Sequence, residues 1–168
     1  MRSLVAQLSS PLGNLFLRFE PDAVSGLYFL GQKKLPANLE NLPRDHSHPL
    51  AKETEVWLGH YFSGQHRPWN LPLVLQGTDF QKQVWKALQN IQLGSTATYA
   101  EIARAAGSPG AARAVGAAVG SNPLSVIIPC HRVVGSDGSL TGYAGGLERK
   151  KHLLALEGAW PQSKTDSP

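Results

Sequence analysis

The chain has a single cysteine, Cys130, in the string Ile127-Ile128-Pro129-Cys130-His131-Arg132-Val133. A thiol reacts as the thiolate, and a neighbouring imidazole or cation favours that form. Because Pro129 has no N–H to donate and holds the residue before it extended, a strand would end at this point. The pattern therefore predicts a buried strand, Ser125 to Ile128, that breaks and turns at the thiol.

Two interpretations of Cys130 remain open from this segment alone. A lone cysteine is often an inert buried hydrophobe, and a histidine next to it does not by itself make it a nucleophile. Adjacent side chains of an extended strand point to opposite faces, so Cys130 and His131 can cooperate only where the backbone turns. The rest of the chain has to decide between packing and catalysis.

Composition restricts the compartment and the partner. The 168 residues are 42% hydrophobic and 17% charged, as in ordinary globular proteins. The N-terminus lacks the apolar core of a signal peptide, and one cysteine allows no internal disulfide, so we expect a cytoplasmic protein with no membrane partner. The net charge of +4 divides into +1 for residues 1–77 and +3 for residues 78–168, which favours a polyanionic partner of the second half.

The patterns predict an α+β protein of two domains. Residues 1–77 form an N-terminal α/β domain and linker, with a small mixed sheet and a helix over 50–62 that turns Val56 and Trp57 toward the core. Residues 78–168 form a mostly helical C-terminal domain that contains the Pro-Cys-His-Arg segment. This second domain begins with a capping box at Thr78.

Two short helices in the second domain predict a helix-turn-helix. Thr98 caps a helix from Tyr99 to Ala106, a glycine-containing turn follows, and a second helix runs from Ala111 to Val119. Its core face is expected to carry Ala112, Val115 and Val119. Another face, about 120° away, bears only small residues and one arginine, namely Arg113, Gly116, Ala117 and Gly120.

That bare face needs an explanation, because glycine inside a helix costs about 1 kcal/mol relative to alanine. Close approach of another backbone would account for it, either from a nucleic-acid groove or from another protein element. The face has no Asn or Gln to read base edges, so the nucleic-acid alternative favours binding by shape in the minor groove.

A last helix is predicted from Gly146 to Gly158, anchored by Leu147, Leu153, Leu154 and Leu156. Glu157 falls in its last turn, where the helix dipole disfavours an anion. The carboxylate either seeks a cationic or proton-donating partner, such as a histidine, or is simply exposed.

Six motifs, taken in order and spacing, resemble the O6-alkylguanine-DNA alkyltransferases, also called methylated-DNA–protein-cysteine methyltransferases, of the bacterial single-function type. These motifs are Tyr99, Ala112-Arg113-Ala114-Val115-Gly116, Ser121-Asn122-Pro123, Pro129-Cys130-His131-Arg132-Val133, Gly142-Tyr143-Ala144-Gly145-Gly146 and Leu156-Glu157-Gly158. The resemblance is strong over residues 78–158 and covers residues 1–77 only in outline. Gln92 departs from it, since the family often has proline there, and this affects a loop rather than the chemistry.

The resemblance implies direct-reversal repair of DNA. The protein would bind duplex DNA containing alkylated bases, flip the damaged base out of the stack, and move the alkyl group irreversibly to Cys130. O6-alkylguanine would be the main substrate and O4-alkylthymine a second one. A monomer without metal or cofactor is implied, because the N-terminal zinc ligands of some relatives are absent.

The resemblance also implies roles for particular residues. The catalytic set would comprise Cys130, His131, Glu157 and Asn122, with His131 as the base acting through a water and Glu157 orienting it. Arg113 would enter the stack in place of the flipped base. The remaining DNA- and substrate-binding residues would be Tyr99, Ala112, Gly116, Val133, Tyr143 and Ala144.

Three rival functions remain. An alkyltransferase-like protein would recognise lesions without repairing them, but those relatives replace the cysteine. A Cys–His hydrolase would turn over its substrate. A plain helix-turn-helix regulator would need base-reading side chains on its second helix.

Overall fold

A computed structural model describes residues 2–160 of the chain, which form two compact units. The first unit contains the chain up to Gln76 together with Pro123–Ile127, and the second contains Gly77–Asn122 together with the chain from Ile128 onward. The segment Pro123–Ile127 thus belongs to the first unit although it lies within residues 78–168. Within residues 2–160, no helix is both long enough and apolar enough to cross a membrane.

A three-stranded antiparallel sheet forms the first unit, in the order β1 (Leu4–Leu8), β2 (Leu15–Glu20) and β3 (Ala23–Phe29). Single parallel bridges pair Val5 with Arg44, Val24 with Leu73 and Leu27 with Leu124, and they make the sheet mixed. A small mixed sheet with a helix is the architecture predicted for this half, and the α+β class is confirmed.

Helix α1 (Pro49–Phe62) begins at His48, whose ring nitrogen accepts a hydrogen bond from the Leu50 amide. Its buried face carries Leu50, Ala51, Thr54, Leu58 and Tyr61. The prediction that Val56 faces the core is wrong, because its side chain is 59% exposed. Val56 lies two residues, or about 200°, from both Thr54 and Leu58, so the helical period turns it to solvent.

The second unit contains helices α2 (Asp79–Leu88), α3 (Tyr99–Ala105), α4 (Ala112–Gly120) and α5 (Leu147–Leu156). Thr78 and Thr98 both form complete capping boxes, in which the side-chain oxygens of Gln81 and Glu101 accept hydrogen bonds from the amides of the two threonines. Each box satisfies amides that would otherwise lack partners at a helix start. The predicted helix starts at these two threonines are confirmed.

Helices α3 and α4 are joined by a turn in which Gly107 and Gly110 have φ angles of 81° and 87°. Side chains there would strain the backbone, and glycine avoids that cost. Val115 and Val119 are buried as predicted, while Ala112 is only half-buried. Trp85 of α2 is also buried, and its indole N–H donates to the carbonyl of Ala118 at 2.9 Å, which fixes α4 against α2.

The prediction of a strand from Ser125 to Ile128 is wrong. Only Leu124 makes a bridge, to Leu27, and the chain then enters a turn in which Val126 has φ 71° and the Ile127 amide donates to Ser125. A short apolar run bounded by proline indicates burial but cannot by itself distinguish a strand from a buried turn.

Two glycines provide a test of the packing in the first unit. A Cβ added at Gly26 would lie 2.5 Å from the ring of buried Tyr28, whereas one at Gly59 of α1 would meet nothing. We expect Gly26→Ala to lower the free energy of unfolding by about 1–3 kcal/mol through overpacking. Gly59→Ala should raise it by up to about 1 kcal/mol through helix propensity. Urea denaturation measures both, and equal effects of the two changes would contradict this packing.

Candidate active site

Cys130 begins a short 3-10 helix, Cys130–Arg132, directly after Pro129. The turn starts before it, where the Cys130 amide donates to the carbonyl of Ile128 at 2.8 Å. Because this backbone is helical rather than extended, Cys130 and His131 are not forced onto opposite faces of a strand. The thiol residue is 5% exposed and His131 is fully buried.

A short parallel pairing places the cysteine segment beside the start of α3. Strand β4 (Ala97–Thr98) pairs with β5 (Val133–Val134), so the residue after β4, Tyr99, begins α3 next to the chain that follows the 3-10 helix. The Tyr99 hydroxyl lies 3.0 Å from the hydroxyl of Thr141. A Cβ added at Gly116 of α4 would lie 3.8 Å from the Tyr99 ring, an ordinary van der Waals contact, so α4 packs beside this ring without requiring glycine there.

The imidazole of His131 and the guanidinium of Arg132 share one buried carboxylate. Glu157 caps the C-terminus of α5, and its Oε2 lies 2.7 Å from Nε2 of His131. Arg132 donates from Nε to Oε1 at 2.7 Å and from a terminal nitrogen to Oε2 at 3.0 Å, a bidentate pair. A second terminal nitrogen of Arg132 donates to the carbonyl of Ile91 at 2.6 Å.

This arrangement fixes the tautomer of His131. A carboxylate only accepts hydrogen bonds, so Nε2 must carry the proton and Nδ1 must carry the lone pair of the neutral ring. Nδ1 is buried, and among residues 2–160 it has no hydrogen-bond partner. Burial lowers the pKa of His131, and the hydrogen bond and charge of Glu157 oppose that shift. The ring is therefore a neutral base with its lone pair available at Nδ1.

Burial shifts the pKa of the Cys130 thiol in the opposite direction to that of His131. It raises the pKa of Cys130 to about 11, while hydrogen bonding to Asn122 and the nearby Lys150 cation pull it down by less. At neutral pH the resting side chain is a thiol, and a base has to remove its proton before it can act as a nucleophile.

Asn122 follows the end of α4 and is itself buried. Its amide nitrogen donates to the carbonyl of Ile128 at 2.9 Å, two residues before the cysteine. The side chain thus joins the end of the second helix of the pair to the chain that presents the thiol.

The other predicted site residues lie at different depths. Arg113 is exposed on α4, Gly116 and Ala112 are half-buried beside it, and Tyr143 and Ala144 are half-buried in the loop before α5. Val133 is fully buried and contributes its carbonyl to a hydrogen bond from Lys150. The structure thus joins His131 to Glu157 by a direct hydrogen bond and joins Asn122 to the chain two residues before Cys130, while the predicted DNA-contacting arginine stays at the surface.

Sequence reasoning missed two cations of the site, Arg132 and Lys150. Lys150 is 0% exposed, whereas Leu147, predicted as an anchor of this helix, is 44% exposed, so that prediction is wrong. A signal was present, because Lys150 precedes the buried Leu153 and Leu154 by three and four residues and therefore shares their face. Within residues 2–160, no group of His, Cys, Asp and Glu side chains is placed to hold a metal ion.

Comparison with known proteins identifies the family. Residues 79–159 match the family model for the DNA-binding domain of 6-O-methylguanine DNA methyltransferase. The methylated-DNA–protein-cysteine methyltransferase of Mycolicibacterium paratuberculosis is 44% identical over 150 residues, 89% of each chain. The chain belongs to the methylated-DNA–protein-cysteine methyltransferase family.

Other members of this family extend the similarity. The methyltransferase of Methanosarcina barkeri is 47% identical over 154 residues, which cover 89% of this chain and 94% of that protein. The crystal structure of Mycobacterium tuberculosis OGT in complex with DNA superimposes with a TM-score of 0.84 at 42% identity, covering 93% of both chains. The similarity to family members therefore includes the first unit, where the sequence motifs were weakest.

The raised pKa of Cys130 predicts low reactivity toward a general thiol reagent. The shift from 9.0 to about 11 is two pH units. It leaves about 100-fold less thiolate at neutral pH than an ordinary cysteine has. We expect alkylation by iodoacetamide to be slower than at an exposed cysteine, because the thiolate is scarce and the residue is only 5% exposed. Asn122→Leu should slow it further by removing a hydrogen bond that stabilises the thiolate. Mass spectrometry of the intact protein measures both rates, and a rate at or above that of an exposed cysteine would contradict the assignment.

Proposed function

We propose that this protein repairs DNA by transferring the alkyl group of O6-alkylguanine, and of O4-alkylthymine, from duplex DNA to Cys130. The observation that carries the proposal is the buried thiol followed by a neutral histidine whose tautomer Glu157 fixes at 2.7 Å. Family membership at 44–47% identity supports the same reaction, that of a methylated-DNA–[protein]-cysteine S-methyltransferase.

The reaction begins with the loss of the thiol proton. Nδ1 of His131 accepts it through a bridging water, and the sulfur attacks the alkyl carbon as the thiolate. A carbon–sulfur bond forms, the carbon–oxygen bond breaks, and its electron pair stays on the base oxygen. His131 then returns its proton to solvent, and the released base anion takes one proton from solvent and so regains its ring N–H.

The product explains why each molecule would act once. A thioether has no thiol–disulfide exchange route back to the thiol, so Cys130 remains alkylated. The protein is therefore consumed stoichiometrically, without a cofactor.

Arg132 and Glu157 act as positioning residues in this scheme. Glu157 holds His131 in the tautomer that presents Nδ1 as a base, and the protonated ring that forms in the reaction is stabilised by the same carboxylate. Burial lowers the pKa of His131, and the Arg132 charge, which pairs with Glu157, lowers it further, so the carboxylate does not keep His131 protonated before the reaction.

Tyr99 serves the leaving group. Its hydroxyl, near Thr141 in the free protein, would donate a hydrogen bond to the flipped purine and reduce the charge that develops on the base. Val133, Tyr143 and Ala144 would line the pocket that receives the base and its alkyl group.

The exposed face of α4 binds the DNA in this proposal. Ala112 and Gly116 let the minor groove approach the helix backbone, and Arg113 fills the gap that the flipped base leaves in the stack. Residues 78–168 would thus carry both DNA binding and alkyl acceptance, with residues 1–77 as a separate N-terminal domain. The protein would act as a monomer in the cytoplasm, where its thiol stays reduced.

Transfer of label from DNA to protein tests the reaction. Duplex DNA with a radiolabelled O6-methylguanine should label the wild-type protein up to one methyl group per molecule. Cys130→Ser should take up no label yet bind the duplex with nearly unchanged affinity, because the buried thiol is not part of the DNA-binding face. Turnover beyond one equivalent would indicate a hydrolase, and binding without transfer would indicate a recognition module.

Arg113→Ala should separate base flipping from chemistry. We expect transfer from duplex DNA to slow by about tenfold or more, since the extruded base is no longer replaced in the stack. The reaction with the free base O6-benzylguanine needs no flipping and should keep its rate. Arg67→Ala, which removes an exposed positive charge from the first unit, is the matched control. Equal losses on both substrates would assign Arg113 a general structural role.

A further inference from the structure

Lys150 in α5 is a fully buried lysine whose ammonium group contacts main-chain carbonyls rather than a carboxylate. Its Nζ donates to Val133 at 2.6 Å, to Thr141 at 2.9 Å and to Gly142 at 3.3 Å. An ammonium has three N–H donors, and here each has an acceptor. Burying a lone cation is costly, so such an arrangement needs a compensating gain.

The carbonyl acceptors lie at the two ends of one chain segment. Val133 directly follows the 3-10 helix that contains the thiol, and Thr141 and Gly142 directly precede the Tyr143–Gly146 loop. Between them the chain closes on itself, where the Gly135 amide donates to the Ser139 carbonyl at 2.9 Å. One side chain therefore sets the distance between the nucleophile segment and the loop proposed to line the pocket.

Two further links connect Lys150 to groups of the reaction. The Thr141 hydroxyl, on a residue whose carbonyl Lys150 holds, lies 3.0 Å from the hydroxyl of Tyr99. The charge of Lys150 also favours the thiolate of Cys130 against the effect of burial on its pKa. The same ammonium thus acts on the tyrosine, on the loop and on the nucleophile.

We propose that Lys150 is a positioning residue for alkyl transfer, whose ammonium fixes Thr141 and Gly142 against Val133 and so places Tyr99 and the Tyr143–Gly146 loop for the reacting base. The proposal rests on the proposed function. A residue that only stabilised the fold would affect every substrate and every pH in proportion to the loss of folded protein. Lys150 instead acts locally, through one loop and one protonation state.

The protonation state gives the proposal a pH signature. Burial lowers the pKa of Lys150 from 10.5 to about 8. The charge of Lys150 acts on both the Cys130 thiol and the His131 imidazole. The charges of Glu157 and Arg132 act on His131 as well. Above about pH 8 the amine of Lys150 is neutral. It then keeps two N–H donors for its carbonyl acceptors and no longer favours the thiolate of Cys130.

The sign for stability follows from the same shift. The pKa of Lys150 in the folded protein lies below the ordinary value of 10.5. Between about pH 8 and pH 10.5 the unfolded chain therefore binds more protons than the folded protein does. The buried ammonium therefore lowers stability at neutral pH, and this cost disappears as the pH rises across that interval. Lys150→Met removes this contribution to the pH dependence of stability. The raised pKa of Cys130 contributes a pH dependence of opposite sign in the wild-type protein and in the variant alike.

The test compares Lys150→Met, which keeps the length and apolar stem of the side chain, with Lys151→Met. Lys151 is the neighbouring lysine, 47% exposed and paired with Glu148 at 3.5 Å. At a temperature where both variants are folded and below pH 8, we expect Lys150→Met to slow methyl transfer from labelled duplex DNA about tenfold, through misplacement of the reacting groups. Lys151→Met should keep the wild-type rate. The deficit of Lys150→Met relative to wild type should shrink as the pH rises above about 8, because the wild-type lysine then loses its proton as well.

Hydrogen exchange gives a second readout that does not depend on activity. Lys150→Met should lose amide protection over residues 135–146 and keep it in α2 and α4. The wild-type protein alone should show loop protection falling as the pH rises through about 8, so the proposal stays testable even where the variant does not fold.

The possible outcomes distinguish a failure of the proposal for Lys150 from a failure of the proposed repair function. Labelled wild-type protein together with a folded Lys150→Met of unchanged rate would overturn the role of Lys150 and leave the repair function standing. A rate loss that is independent of pH, with protection lost throughout the second unit, would reduce Lys150 to a structural residue. No label on the wild-type protein would overturn both proposals.

Discussion

The buried carboxylate of Glu157 is the group on which the rest of the site depends. A buried charge is tolerated only where hydrogen bonds and opposite charge replace its hydration, and Arg132 and His131 supply both. Since Arg132 also reaches the carbonyl of Ile91 beyond α2, this one ion pair connects the end of α5, the end of α2 and the 3-10 helix of the thiol. Removing Arg132 would leave the carboxylate of Glu157 as an uncompensated charge in the interior.

Burial sets the resting state of the two reacting groups in a consistent way. It raises the pKa of Cys130 and lowers that of His131, so both are neutral before a substrate arrives. A neutral pair costs less to bury than a thiolate–imidazolium pair, which forms only when the proton moves. Asn122 and Lys150 act against burial on the thiol side, and they limit how far the thiolate is disfavoured.

Backbone geometry decides whether the neighbours Cys130 and His131 can act together. The chain makes a tight turn at Val126 with a positive φ and a helical turn from Cys130, instead of the predicted strand that ends at proline. An extended backbone would have alternated the two side chains. Proline at 129 fits both outcomes, because it excludes a ladder hydrogen bond without specifying what replaces the strand.

The sequence by itself determined features that depend on local chemistry. The helix starts at Thr78 and Thr98 and the glycine-containing turn between the paired helices follow from residues close by in the chain. For Glu157 the sequence left both a proton-donating partner and exposure open, and the structure gave it His131 and Arg132. Tertiary structure decided where burial departs from the apolar pattern of a helix, and it placed Lys150 inside and Leu147 and Val56 outside. Burial depends on what packs against a face from distant parts of the chain, so a charged residue with apolar neighbours can be interior when carbonyls from another segment replace its water.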